Sequence, residues 1–255
     1  MQKPHVVIHS NNMPIQAPIC GEWLSEPYDA PDIKMLNVYA RLDEEVVKNY
    51  LKPTPYEYHS NIGLFYFADY SQITSADAPF YDSALMVPVK YKDMTGGFYM
   101  FEFEDGPEST SSGREGWGHP KMMADRISMT ESEGKAIGNV YLKGKMIYHV
   151  ELDMNKKPSV SLPVIPLEPN LLHMKHPRPD GPGTYCEFTL VRYIEEDTTI
   201  KHQQDCEVVA FDIQGVGDRD PWHIFKPTRI LGGEYIIADY TGSERTPPRI
   251  LDRII

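Results

Sequence analysis

The stretch AIGNVYLKGKMIYHVELD, Ala136 to Asp153, decides the architecture. Apolar residues alternate with polar ones on both sides of Lys143-Gly144-Lys145, and β-branched and aromatic side chains fill the arms. A period of two around a glycine-bearing turn predicts an antiparallel hairpin. Working outward, runs 35–41, 62–70, 84–91 and 97–104 have the same strand character, with KDMTGG turning the last two into a second hairpin. Beyond it, 184–195, 206–215 and 235–240 add further strands. One short amphipathic helix is predicted over 43–51, opened by acids and stopped by KPTPYEY. Residues 1–33 read as an irregular arm, and the Pro/Gly-punctuated segment 166–183 as an irregular crossing. Strands not alternating with helices argue against a Rossmann or TIM fold. The expectation is a mainly β (α+β) fold, an antiparallel sheet or barrel with a few short helices. With no linker to divide it, 1–255 is expected to be a single domain.

The bulk properties narrow the partners. Twenty-five basic residues against 37 acidic ones leave a net charge of −12. That balance lacks the basic footprint a nucleic acid or an anionic membrane requires. Three widely spaced cysteines, Cys20, Cys186 and Cys206, form no CxxC pair. They fit reduced thiols in a cytoplasmic protein better than a zinc ribbon or a redox dithiol. The first residues carry no apolar run of signal-peptide length, and no segment approaches the roughly 20 apolar residues of a membrane span.

Most motif-like stretches carry no chemistry. GVGDRD (215–220) lacks the full glycine spacing of a phosphate loop and reads as a turn. His173 and His176 stand three apart with no further ligands beside them, so no metal is expected. The stretch GREGWGHPKMMADRI, Gly113 to Ile127, is different. It sets one lysine, Lys121, among glycines, Trp117 and two methionines. Pro120 suits the first position of a helix, which would place Lys121 at a helix N-terminus. The helix dipole and the apolar neighbours would both disfavour an ammonium. An unperturbed lysine is neutral in about one molecule in 2,500 at pH 7. Lowering its pKa by ~3 to 4 units costs ~4 to 5 kcal/mol, which only chemistry would reward. A neutral amine attacks carbonyls and forms a Schiff base, an electron sink.

At these residues the chain resembles the acetoacetate decarboxylase family, whose G-R-E-x-x-G-x-P-K-K type motif stands here as Gly113-Arg114-Glu115-Gly116-Trp117-Gly118-His119-Pro120-Lys121-Met122. VPVKYKDMTGGFYMFEFED, EPNLLHMKHPRPDGPGTYCEFTLVRY and YIIADY extend the resemblance over roughly 35–240. The family is itself the standing example of a lysine activated by desolvation or a cationic neighbour. The resemblance implies an antiparallel β-barrel or cone around a buried pocket, a homo-oligomer, and a lyase that works without a cofactor or metal. The chemistry implied is a Schiff base between Lys121 and a small carbonyl substrate, leading to β-keto acid decarboxylation or to aldolase or dehydratase chemistry. Asp82 and His119 are the candidates for proton transfer. Trp117, Arg114, Glu115, Tyr240 and Phe65 are candidates for lining the substrate site, with Arg114 and Glu115 equally suited to an internal ion pair. The chain departs from the pattern at Met122, where the family has a second lysine. Phe65 aligns with one of two expected pocket carboxylates and Asp82 with the other, while Ile33 or Lys34 stands at the position of an expected arginine. A non-covalent hydrolase or dehydratase, and a ligand-binding protein without chemistry, remain as alternatives.

Overall fold

The computed structural model describes residues 28–74, 79–114, 118–177, 185–193, 198–217, 220–242 and 249–254. Among the described residues, fourteen strands belong to one sheet. β1 spans Tyr28–Arg41, β2 Glu57–Tyr58, β3 Ile62–Asp69, β4 Tyr81–Tyr91 and β5 Met94–Glu104. The short β6 (Lys121–Met123) follows, then β7 (Arg126–Ser132), β8 (Lys135–Leu142) and β9 (Lys145–Asp153). The last five are β10 (Asn170–Pro177), β11 (Tyr185–Tyr193), β12 (Thr198–Ile213), β13 (Arg229–Gly242) and β14 (Arg249–Ile254). Among the described residues, the helices include α1 (Glu44–Leu51) and α2 (Pro107–Ser112), with a 3₁₀ turn at Trp222–Phe225.

The main path of the sheet runs β14-β11-β10-β5-β4-β3-β1-β13-β12-β9-β8-β7, with β2 on β4 and β6 on β5. The mainly β reading is borne out, but closure is not. The path is open, ending at β7 and β14, so the expected barrel is an open, folded sheet. Nor is the sheet wholly antiparallel, because β5 runs parallel to both β6 and β10.

Local chemistry explains the elements. Asp43 caps α1 through its side chain, which accepts from the Glu45 and Val46 amides at 2.9 and 3.3 Å. Such a cap satisfies donors that a helix start leaves open. The β8–β9 turn falls on Lys143-Gly144, both with positive φ (52° and 72°), the geometry a two-residue hairpin requires. Glu133-Gly134 repeats it (52° and 77°) between β7 and β8. β7 went unread in the sequence because RISMTES offers few apolar residues. The segment expected to cross irregularly contains β10, which follows a strap over β5. Gly97 donates from its amide to the carbonyls of Leu167 and Pro169 at 2.9 and 3.0 Å. A Cβ on Gly96 would stand 2.0 Å from the Pro169 oxygen, so glycine is required for that crossing.

The sheet folds over on itself. β8 returns against β3, where Gly138 lies against the Phe67 ring. Between the layers sits the main core, which includes Leu36, Val38, Phe65, Phe67, Leu85, Phe101, Phe103, Tyr148 and Val150. Phe67 stacks on Tyr148 at 4.8 Å, and Phe65 meets Phe211 edge-on at 4.9 Å. A second, smaller cluster lies on the opposite face of β3–β5: Ala30, Ile33, Ala68, Ala84, Met86, Tyr99, Leu172 and Tyr240.

One irregularity divides β5 between these faces. Leu85 pairs with Phe101 and Met86 with Tyr99, so Met100 is an extra residue in the strand. A bulge of this kind shifts the alternation of side chains by one. Tyr99 therefore shares its face with Glu102 and Glu104, while Phe98, Met100, Phe101 and Phe103 fill the main core.

Candidate active site

Facing residues on paired strands share one side of a sheet. Asp82 of β4 stands opposite Glu104 of β5, and Ala84 opposite Glu102. Tyr66 of β3 faces Ala84, and Lys121 of β6 lies beside Glu102. The register thus gathers Tyr66, Asp82, Glu102, Glu104 and Lys121 on the face of the smaller apolar cluster. The Lys121 Nζ is 2.6 Å from Glu104 Oε1 and 3.6 Å from Glu102 Oε1. The side chains are 11% exposed for the lysine and 1% and 0% for Glu102 and Glu104. The ammonium also lies 5.7 Å from the centre of the Phe80 ring. Glu102 turns its other oxygen to His119 Nδ1 at 2.9 Å. His119 in turn packs edge-on against Tyr99, ring centres 4.9 Å apart. The Tyr66 hydroxyl donates to Asp82 Oδ2 at 3.3 Å. Among the described residues, Asp82 Oδ1 and Glu104 Oε2 are buried without a hydrogen-bond partner. Orphaned buried acceptors are costly and rare, and these two sit at the centre of the cluster.

The charge states differ from the expectation. Burial pushes Lys121 down, as anticipated, but the facing carboxylates Glu102, Glu104 and Asp82 outweigh it and hold the amine above the ordinary lysine range. The helix assumed around Lys121 is absent: α2 ends at Ser112, and Lys121 opens a strand. Pro120 precedes a strand as readily as a helix, since extended backbone suits its neighbours. Burial and the charge of Glu102 place Asp82 well above the usual carboxylate range. Burial alone would raise Glu102 too, but His119 and Lys121 hold it down to about 2. Glu104 is raised by burial despite its contact with Lys121. The cluster therefore pairs an ammonium and a Glu102 of low proton affinity with an Asp82 and a Glu104 of unusually high proton affinity.

The candidates from the sequence are placed unevenly. Lys121, Asp82 and His119 belong to the cluster, and Tyr240 is buried in the apolar group beside it. Phe65 points the other way, into the main core among Phe101, Tyr148 and Phe211. Its neighbour Tyr66 is the β3 residue that faces the site. Arg114 is exposed, while Glu115 and Trp117 lie outside the described residues. Ile33 is buried in the smaller cluster, and Lys34 pairs with Glu131 at 2.7 Å. Met122 packs on the main core. Because successive strand residues point to opposite faces, a side chain at 122 diverges from Lys121 by far more than on the helix assumed. Glu102 and Glu104 were missed, although the alternation in Phe101-Glu102-Phe103-Glu104 is the signal of acids on one face of a buried strand.

Gly113, the first residue of the motif, has a steric role. A Cβ there would stand 2.5 Å from Lys121 Cε, 2.6 Å from Cδ and 3.1 Å from Nζ. Its carbonyl accepts from the His119 amide at 3.0 Å, which fixes the two segments together. Gly113→Ala is expected to displace the amine and cut turnover by about 10²-fold, the scale of an ångström misplacement. Steady-state kinetics beside a thermal melt checks this; unchanged turnover would mean that the lysine shaft is free to move.

Fold and site together define a mixed-sheet protein with an interior lysine clamped by carboxyl groups. The family model for acetoacetate decarboxylase (ADC) matches residues 12–249, and the chain belongs to that family. Acetoacetate decarboxylase of Burkholderia multivorans is 29% identical over 194 residues, covering 69% of this chain and 70% of that one. The crystal structure of acetoacetate decarboxylase from Legionella pneumophila superposes with a TM-score of 0.77 at 21% identity, covering 95% and 94% of the two chains. The enduracididine biosynthesis enzyme MppR, complexed with the condensation product of pyruvate and imidazole 4-carboxaldehyde, gives 0.67 at 14% identity over 89% and 90%. Family membership supports a function of the decarboxylase or lyase type. No described helix is long and apolar enough to cross a membrane.

Proposed function

We propose that the protein is a carbon–carbon lyase that bonds a carbonyl substrate to Lys121 as a Schiff base. The observation that carries this reading is the interior Lys121 amine with a proton acceptor, Glu104, 2.6 Å away. A raised lysine pKa does not by itself prevent attack. The proton has somewhere to go, because burial raises the proton affinity of Glu104. In a dry site a neutral amine–acid pair competes with the ion pair, since charge separation is poorly solvated there. The neutral amine adds to the carbonyl, and loss of water gives the iminium. Cleavage of the adjacent carbon–carbon bond then delivers its electron pair to the iminium, leaving an enamine. Asp82, whose proton affinity burial raises, is the acid that returns a proton to carbon.

Decarboxylation of a β-keto acid and retro-aldol cleavage both fit this sequence, as they share the enamine. Borohydride reduction in the presence of acetoacetate or acetone tests the reading. It is expected to add the mass of the reduced adduct at Lys121. Turnover without a trapped adduct would instead support a non-covalent hydrolase or dehydratase, and binding with neither would leave a ligand-binding protein.

A further inference from the structure

We propose that His119 and Glu102 form an acid–base couple for an oxygen on the substrate's β-carbon, so that the site cleaves uncharged β-hydroxy ketones. This rests on the Schiff-base reading of Lys121. Three carboxyl groups already surround one ammonium. Lys121 contacts Glu104 and Glu102, and Asp82 shares their face opposite Glu104. A substrate carboxylate beside the iminium would be a fourth. Among the described residues, the cation that the family alignment led us to expect is absent: Ile33 is buried and apolar, Lys34 is engaged with Glu131, and Arg114 is exposed. The apolar cluster on this face, with Ala30, Ile33, Ala84, Met86, Leu172 and Tyr240, suits an apolar or aromatic neighbour.

Glu102 supplies what a neutral substrate needs. One of its oxygens faces the lysine and the other holds His119 Nδ1 at 2.9 Å. That contact orients the ring and leaves Nε2 as the nitrogen that exchanges a proton with substrate. His119 and Lys121 both contact Glu102, so their side chains meet on the same face of β5.

With the ketone held as an iminium on Lys121, His119 Nε2 takes the β-hydroxyl proton. The oxygen lone pair becomes the carbonyl of a departing aldehyde, and the Cα–Cβ electrons pass to the iminium. Asp82 protonates the resulting enamine at Cα. Water then hydrolyses the new iminium, releasing a ketone and the free lysine, and His119 returns its proton through Glu102 and Asp82. No oxidant, reductant or further reactant is consumed.

The test uses 4-hydroxy-4-phenylbutan-2-one, whose cleavage yields benzaldehyde and acetone, read by ultraviolet absorbance. The wild type is expected to release benzaldehyde. His119→Gln is expected to lose about 10²-fold or more in that release, while borohydride still traps acetone on Lys121. Trapping of acetone without benzaldehyde release by the wild type would overturn this inference and leave the Schiff base standing. Equal release by wild type and His119→Gln would overturn the role of His119. Failure to trap acetone at all would overturn both readings.

Discussion

Lys121→Met is expected to abolish borohydride trapping and reduce turnover to background, and to destabilise the fold in a pH-dependent way. The lysine is a structural partner as well as the proposed nucleophile. Removing one member of a buried ion pair leaves the others uncompensated, at a cost of ~3 to 5 kcal/mol. Glu102 and Glu104 are fully buried beside the vacated position, and Asp82 faces Glu104. Without the ammonium, the pKa values of Asp82 and Glu104, already raised by burial, rise further, and Glu102 loses one of the two cations that hold it down. A carboxyl shifted that way contributes most below its unfolded pKa, and its contribution is lost as pH rises through the folded value. Denaturant titrations should therefore show the variant's deficit to be largest above neutrality and shrinking towards pH 4. In the wild type, Glu102 works in the opposite sense. Depressed from 4.5 to about 2, its contribution is present above 4.5 and lost as pH falls through that interval. A deficit independent of pH would show that the carboxyl groups do not feel the ammonium, and retained trapping would remove Lys121 from the reaction.

Glu104→Gln is the second substitution with a large expected effect. It deletes the acceptor that lies 2.6 Å from the amine and leaves the strand geometry in place. Losing a facing anion lowers the lysine pKa, so the midpoint of adduct formation should move to lower pH. Turnover should nevertheless fall by roughly 10² to 10⁴-fold, the range for a lost general base. Those opposite responses separate a proton-transfer role from a merely supporting one. A variant with wild-type turnover and an unshifted profile would exclude Glu104 from the chemistry.

Much of this was legible in the residues. The alternation over 136–153, with glycine at its turn, declared the hairpin, and acids ahead of an apolar helical face declared α1. The lysine was found because glycines and methionines around an amine are chemically unusual. Its electrostatics were misread because the neighbours that decide them are distant in sequence. Glu102 and Glu104 lie 19 and 17 positions from Lys121 and meet it only through a parallel pairing that no local pattern announces. Phe65 was placed one residue from the position that matters, Tyr66. In a strand, that error exchanges the two faces of the sheet. The open sheet path was equally illegible, because local alternation is the same whether or not the edges meet.

The extra residue at Met100 changes what a count of positions along β5 means. Tyr99 and Phe101 are two apart, yet they stand on opposite faces because Met100 is left unpaired between them. Excising that single methionine would restore plain alternation and keep Tyr99 and both acids on the side they already occupy. One residue added between Phe101 and Glu102 in an unbroken ladder would instead send the acids into the oil. The strand therefore tolerates a loss at this point better than a gain.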